Sequence, residues 1–184
     1  MTLTIHEITK KFGRFTAVNN LSLKIEKGSI FGMLGANGAG KTTTFRMILG
    51  LIEPTSGDIE WDGKPIDYSN SAQIGYLPEE RGLYPKLKTG EQLIYLARLR
   101  GMDKTAAEKE AKAWLDRFNV PDYWDKKVGD LSKGNQQKIQ FIASVIHKPD
   151  LIILDEPFSG LDPVNVELLK KAVQDLRKEG TTIV

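Results

Sequence analysis

The residues best placed to do chemistry lie in Gly35-Ala36-Asn37-Gly38-Ala39-Gly40-Lys41-Thr42. Two glycines stand four residues apart and are followed by Lys and Thr, the complete pattern of a phosphate-binding loop. Glycines let the backbone turn with positive φ and no Cβ in the way, so successive N–H groups can point inward at phosphate oxygens. Lys41 adds a compact cation for the β- and γ-phosphates, and the Thr42 hydroxyl can ligate Mg²⁺. An apolar run, Ile30 to Leu34, precedes the loop, and Thr43 to Leu49 comes after it. Strand, loop and helix in that order aim a helix N-terminus at a bound anion. That context separates the loop from a glycine-rich turn holding an accidental lysine.

A phosphate loop alone implies nucleotide binding; its partner should be an acid at the C-terminal end of a parallel strand. Leu151-Ile152-Ile153-Leu154 is an apolar run of strand length, as for a strand buried on both faces, and it ends in Asp155-Glu156. Asp155 suits Mg²⁺, directly or through water, and Glu156 can take a proton from an attacking water. Together, loop and acids imply hydrolysis of a nucleoside triphosphate.

The elements that must position these groups are set by periodicity. Leu3, Ile5 and Ile8 read as a strand ending in a turn at Gly13, and Leu21-Ser22-Leu23-Lys24-Ile25 as a second strand. Phe12 is either a half-buried strand-end aromatic or a platform for a flat base. Asp62-Gly63 signals a two-residue hairpin, and Ile74 to Leu77 a short strand halted by Pro78. Thr89 with Gln92, and Thr105 with Glu108, predict capping boxes at the starts of two helices. Ala107, Ala111, Trp114, Leu115 and Phe118 give the second an apolar face, with Trp114 and Phe118 read as core. Ser132 is placed to cap a helix running to Ile146, stopped by Pro149. Asp162-Pro163 starts another, and Thr181 to Val184 looks like a strand. The expected fold is α/β: a P-loop NTPase with a central mostly parallel sheet, an N-terminal antiparallel β subdomain and a small inserted α-helical subdomain.

The chain has 184 residues, enough for one domain with a substantial core, and its 40% hydrophobic and 27% charged residues are those of an ordinary globular protein. A net charge of +2 implies neither a nucleic acid nor a membrane surface as partner. The absence of cysteine excludes disulfides and thiolate metal sites and is compatible with a reducing cytosol. The N-terminus lacks a secretory signal pattern, and no apolar segment is long enough to span a bilayer, so a membrane role is expected to come through a partner.

Four ordered motifs, Gly35 to Thr42, Leu131-Ser132-Lys133-Gly134-Asn135-Gln136-Gln137, Leu151 to Glu156 and Ser159-Gly160-Leu161-Asp162, resemble the nucleotide-binding domain of ATP-binding-cassette (ABC) transporters. The likeness spans residues 1–184, with 83–148 as the helical subdomain ending in the signature helix. It is nearest to bacterial exporter-type ATPases for sodium efflux or for drugs and antibiotics. The resemblance implies an ATPase subunit using ATP and Mg²⁺. It also implies a head-to-tail dimer with a second ABC subunit, transmembrane permease subunits as partners, and a cytoplasmic place at the inner face of the cell membrane. By the same resemblance Phe12 stacks on adenine, and Gly35, Asn37, Gly38, Ala39, Gly40, Lys41, Thr42 and Thr43 cradle the triphosphate. Thr42, Glu79 and Asp155 face the metal, and Glu156 is the general base. Ser132, Gly134 and Gln136 complete the ATP site of the opposite subunit, and Asp162 lies in the loop that communicates between the two sites. The alternative is a soluble ABC ATPase of translation or DNA repair.

Three departures from the family pattern stand out. Glu79 replaces the usual glutamine and adds negative charge beside phosphates. Lys133 and Asn135 depart from the usual signature; Lys133 either supplies a cation near the phosphates or points to solvent. Glu80 to Pro85 resemble the surface that grips a membrane partner. The switch histidine is absent, and His6 and His147 read as surface or cap residues. The chain therefore reads as a truncated domain, expected to bind ATP but to hydrolyse it poorly.

Overall fold

Gly13, at φ +59°, turns the chain between β1 (Thr2–Phe12) and β2 (Phe15–Glu26), which pair antiparallel from Phe12↔Phe15 back to Thr2↔Glu26. The computed structural model describes residues 1–66, 72–80 and 82–184. β3 (Ser56–Trp61) joins the other edge of β1, and β4 (Lys64–Pro65) returns through the Asp62-Gly63 turn. Both turn residues have positive φ, +56° and +72°, as the tight hairpin requires. The resulting sheet has the order β2-β1-β3-β4. Both strands of the first hairpin are longer than the sequence patterning suggests, because their outward residues are polar and the alternation fades near the tip.

The second sheet is parallel and runs β5 (Ile74–Leu77), β6 (Leu151–Leu154), β7 (Thr182–Ile183). β6 is its pivot. Leu151 and Ile153 point into a core shared with Leu3, Ile5, Trp61, Phe45 and Ile48, while Ile152 points the other way, among Leu93, Phe118, Phe141 and Leu176. A strand buried on both faces must read as a continuous apolar run, and Leu-Ile-Ile-Leu does. Each fully buried side chain of this kind contributes about 1.5–3 kcal/mol relative to exposure.

The helices are α1 (Lys41–Ile48), α2 (Thr89–Leu99), α3 (Lys104–Arg117), α4 (Lys133–Val145) and α5 (Pro163–Lys178). Trp114, Phe118 and Phe141 meet at centroid distances of 5.7–6.0 Å, which locks α3 onto α4 and bears out Trp114 and Phe118 as core. Among the described residues no helix is long and apolar enough to cross a membrane.

Four local expectations are corrected. Thr89 does not cap α2: Lys88 is the N-cap, and the buried Thr89 hydroxyl donates to the Lys126 carbonyl at 3.1 Å. Its supposed partner Gln92 instead accepts from the Tyr84 N–H at 2.7 Å. α3 is capped by Asp103, whose carboxylate accepts from Thr105 and Ala106 N–H at 2.8 and 3.2 Å, while Glu108 pairs with Lys112. The run Ile30 to Leu34 enters a ladder only at Ile30, opposite Ile183, and Leu34 is 95% exposed. Phe31 N–H donates to the Ile183 carbonyl at 2.8 Å, and no strand is assigned over Ile30 to Leu34. Fourth, His147, the residue after the α4 C-cap Ile146, is half-buried, not an exposed surface residue. Its Nε2 lies 3.3 Å from the Ile74 carbonyl, and burial pushes its pKa down to about 4.

Candidate active site

The phosphate loop is held by a contact that only glycine permits. Gly40, at φ +90°, is the N-cap of α1, and a Cβ there would fall 2.4 Å from the Ala17 carbonyl oxygen on β2. The antiparallel sheet thus braces the loop from behind, and any side chain at Gly40 would force them apart. Gly38 turns at φ +81° with open space around it. Lys41 folds its ammonium over the loop, donating to the carbonyls of Gly35 at 2.7 Å and Ala36 at 3.1 Å. Its charge therefore sits inside the curve of the loop.

β5 and β6 run parallel in register Leu77↔Leu154, so the residues after both strands emerge at the same edge. Asp155, 2% exposed, receives a hydrogen bond from the Thr42 hydroxyl to Oδ2 at 3.0 Å. Its N–H donates to the Leu77 carbonyl at 2.9 Å. This one residue ties loop helix, β5 and β6 together. Burial, and next the Asp155 charge, raise the Tyr76 hydroxyl pKa. Glu156 comes next with φ +53°, a left-handed turn that lifts its carboxylate out of the sheet line and leaves it exposed. Glu79 emerges after Pro78, and the Gln140 amide on α4 pins that segment by donating to the Pro78 and Glu80 carbonyls at 3.3 and 2.9 Å. Arg81, in the segment expected to meet a membrane partner, lies outside the described residues.

These groups line one cleft of about 360 Å³. Phe12, Asn37 to Thr43, Glu79, Asp155 and Glu156 all border it, so aromatic and acidic side chains share its lining. The donor set fits a nucleoside triphosphate with Mg²⁺: an ammonium and a helix N-terminus for the phosphates, and only oxygen donors, from Thr42 and the carboxylates, for a hard cation. Phe12 is 52% exposed at the hairpin tip and borders the cleft, so one face of its ring is open to a flat group as well as to the strand end.

Residues 18–159 match the family described as ABC transporter. The chain belongs to the ABC transporter family. It is 64% identical over 182 residues to the uncharacterized ABC transporter ATP-binding protein YhaQ of Bacillus subtilis, covering 99% of this chain and 61% of YhaQ. It is 35% identical over 189 residues to the lipopolysaccharide export system ATP-binding protein LptB of Haemophilus influenzae, covering 99% of this chain and 78% of LptB. A solved structure of the ATP-binding subunit of an ABC transporter superposes with a TM-score of 0.90 at 27% identity, covering 100% of this chain and 78% of the other. The chain thus spans about three fifths of YhaQ's length.

The ABC signature lies elsewhere. Ser132 is the exposed N-cap of α4, accepting from the Asn135 N–H at 3.4 Å. The Asn135 side chain donates to the Tyr123 hydroxyl at 2.7 Å, and Gln136 donates to the carbonyls of Val128 and Leu131 at 3.2 and 2.9 Å. Lys133 is exposed, which among its two readings favours solvent within this chain. Asp162 caps α5 by accepting from the Asn165 N–H at 3.0 Å, a bond that lowers its pKa. Gly134 lies 3.6–3.7 Å, measured from an added Cβ, from Leu161 and Asn165, so signature and Asp162 loop touch. None of Ser132, Gly134, Gln136 or Asp162 borders the cleft.

Sequence reasoning missed Phe15. It stands opposite Phe12 in the hairpin register, is 63% exposed and borders the same cleft. The spacing Phe-Gly-Arg-Phe was the available signal, since a two-residue turn puts flanking residues side by side.

Proposed function

We propose that this ABC domain binds Mg²⁺-ATP and hydrolyses it to ADP and phosphate, and that it powers a membrane transporter of export type. The Thr42–Asp155 hydrogen bond carries the reading, because it brings the phosphate loop and the acidic strand end to one point. When bound, Mg²⁺ supplies charge neutralisation on the triphosphate, with Thr42, Asp155 and Glu79 as the residues that would hold it. Lys41 and the N–H groups of residues 38–43 bind the β- and γ-phosphates. Phe12 stacks on the adenine. Glu156 accepts a proton as water adds to the γ-phosphorus, and the bond from that phosphorus to the ADP oxygen breaks.

Ser132, Gly134 and Gln136 lie outside this chain's cleft, which supports their serving a second copy in a head-to-tail pair. An isolated chain then binds ATP and turns it over slowly. Robust turnover that stays first-order in a dilute, unpaired chain would overturn that claim. The names of the relatives, transporter subunits including an export system, favour transport over a soluble ABC ATPase of translation or DNA repair. Attachment to transmembrane permease subunits puts the domain at the inner face of the cell membrane, and 83–148 is its helical subdomain.

The test is Lys41→Ala. ATP affinity measured by calorimetry falls steeply if Lys41 binds the phosphates, and unchanged affinity sinks the reading. Retention of a hydrophobic membrane subunit during purification tests the transporter role separately.

A further inference from the structure

The outer face of the antiparallel sheet holds a group of side chains that nucleotide chemistry does not use. His6 on β1 stands directly opposite Asp58 on β3, and Glu60, two residues further along β3, falls on the same face. Their inward neighbours Ile5, Ile59 and Trp61 are buried, so the pleat turns all three outward. One ligand atom from each, the imidazole nitrogen and two carboxylate oxygens, lies within 4.8 Å of the others.

Surface carboxylates are often answered by Lys or Arg. Among the described residues none of the three side chains has a hydrogen-bond or ion-pair partner. Lys24, which stands across Thr4 from Glu60, is held by Glu26 at 3.1 Å, and the N-terminal ammonium is held by Asp62 at 3.4 Å. Two like charges on one sheet face repel, and a bound cation removes that repulsion. The spacing is also fixed. Gly57, at φ +81°, brings β3 so near β1 that an added Cβ would lie 2.3 Å from the His6 carbonyl oxygen.

We propose that His6, Asp58 and Glu60 form a binding site for a divalent first-row transition metal such as Zn²⁺ or Co²⁺. The imidazole selects these ions over Mg²⁺ and Ca²⁺, which favour all-oxygen shells. Three protein ligands leave at least one coordination position to water. The bound ion clamps β1 to β3, and β1 is the strand that ends in Phe12.

The test is a titration of the tag-free, nucleotide-free chain with CoCl₂ and with ZnCl₂, in buffer containing Mg²⁺. The wild type gives the visible absorption of nitrogen-ligated Co²⁺ at about one equivalent, and Zn²⁺ raises its melting temperature. His6→Ala and Glu60→Gln, both at non-core positions and checked for unchanged melting in chelator, weaken Co²⁺ binding by at least roughly 10–100-fold. Asp155→Asn, in the nucleotide cleft, leaves the Co²⁺ spectrum as it is. The proposal is overturned if the wild type shows no Co²⁺ band. It is equally overturned if His6→Ala and Glu60→Gln titrate like the wild type, or if only Asp155→Asn abolishes binding.

Discussion

The phosphate loop and the signature helix both present a helix N-terminus, yet they use their side chains in opposite ways. At α1 the working groups point into a cleft: Lys41 lies in the curve of its own loop, and Thr42 reaches Asp155 at 3.0 Å. At α4 the polar side chains turn back into the domain, Asn135 to Tyr123 and Gln136 to the carbonyls of Val128 and Leu131. Only the Ser132 hydroxyl, the Gly134 backbone and Lys133 remain on the outer side. A phosphate held by α1 meets cation, hydroxyl and carboxylates from one chain. One held by α4 would meet no carboxylate, only the exposed Ser132 and Lys133 side chains, N–H groups and the helix dipole, the last worth typically 0.3–1 kcal/mol at an exposed terminus. Under the proposed function the loop is the binding site, and the signature adds to a site that a second copy builds.

The largest effect should come from Glu156, which belongs wholly to the cleft side. Glu156→Gln keeps size and hydrogen bonding but cannot accept the proton, so turnover in the paired protein falls by about 10²–10⁴. ATP affinity is retained, because the phosphates are held by Lys41 and the loop. Rapid phosphate-release assays beside calorimetry separate the two, and normal turnover in the variant removes Glu156 from the role of base.

The next effect acts on the far end of the signature helix, where His147 leans on the Ile74 carbonyl of β5. Burial first, and the nearby Arg100 charge second, lower its pKa from 6.5 to about 4, partly offset by that hydrogen bond. The folded state therefore binds the proton less readily than the unfolded state. The stability this contributes is fully present above pH 6.5 and is lost as pH falls toward 4. Over that interval the loss approaches roughly 3 kcal/mol. Urea melts at pH 7 and pH 4.5 should show it, and His147→Gln should flatten the difference attributable to this residue. An unchanged pH slope in the variant would assign the acid loss to carboxylates instead.

The cleft side was far more legible in the sequence than the helix side. Gly35 to Thr42 is a motif of backbone geometry, and the collision awaiting a Cβ at Gly40 shows why the residue type is forced. Asp155 was readable because Leu151 to Leu154 can be little other than a doubly buried strand. Capping was not readable at Thr89, since a short degenerate pattern says nothing of Lys126, which arrives 37 residues later and takes the hydroxyl. His147 looked like a surface residue for the same reason: its burial is set by β5, distant in sequence. Leu34 looked like a buried strand residue because apolarity was visible and the number of paired neighbours was not.

Phe12 and Phe15 test whether the cleft recognises a base or only a phosphate. Replacing Phe12 by Ala removes a stacking contribution of about 1–3 kcal/mol, roughly 5–150-fold in ATP affinity. Phe15→Ala should act in the same direction. Affinity for inorganic tripolyphosphate should not change in either variant. If ATP and tripolyphosphate weaken together, the rings support the loop instead of stacking on the base.

The smallest effect, and the most telling for the comparison, belongs to Ser132. Its cap bond at 3.4 Å is long, so Ser132→Ala should cost about 0.5 kcal/mol, the low end of N-cap losses, and lower Tm by about 1–2 °C. ATP affinity of the unpaired chain should be untouched. Ser132→Asp makes the sharper test, because Asp caps a helix as well as Ser and holds stability, yet it puts a negative charge where a second copy's phosphate would approach. That variant should melt like the wild type and lose the turnover that depends on pairing. Wild-type turnover in Ser132→Asp would mean that α4 never meets a phosphate, and the two helix starts would then share geometry without sharing a site.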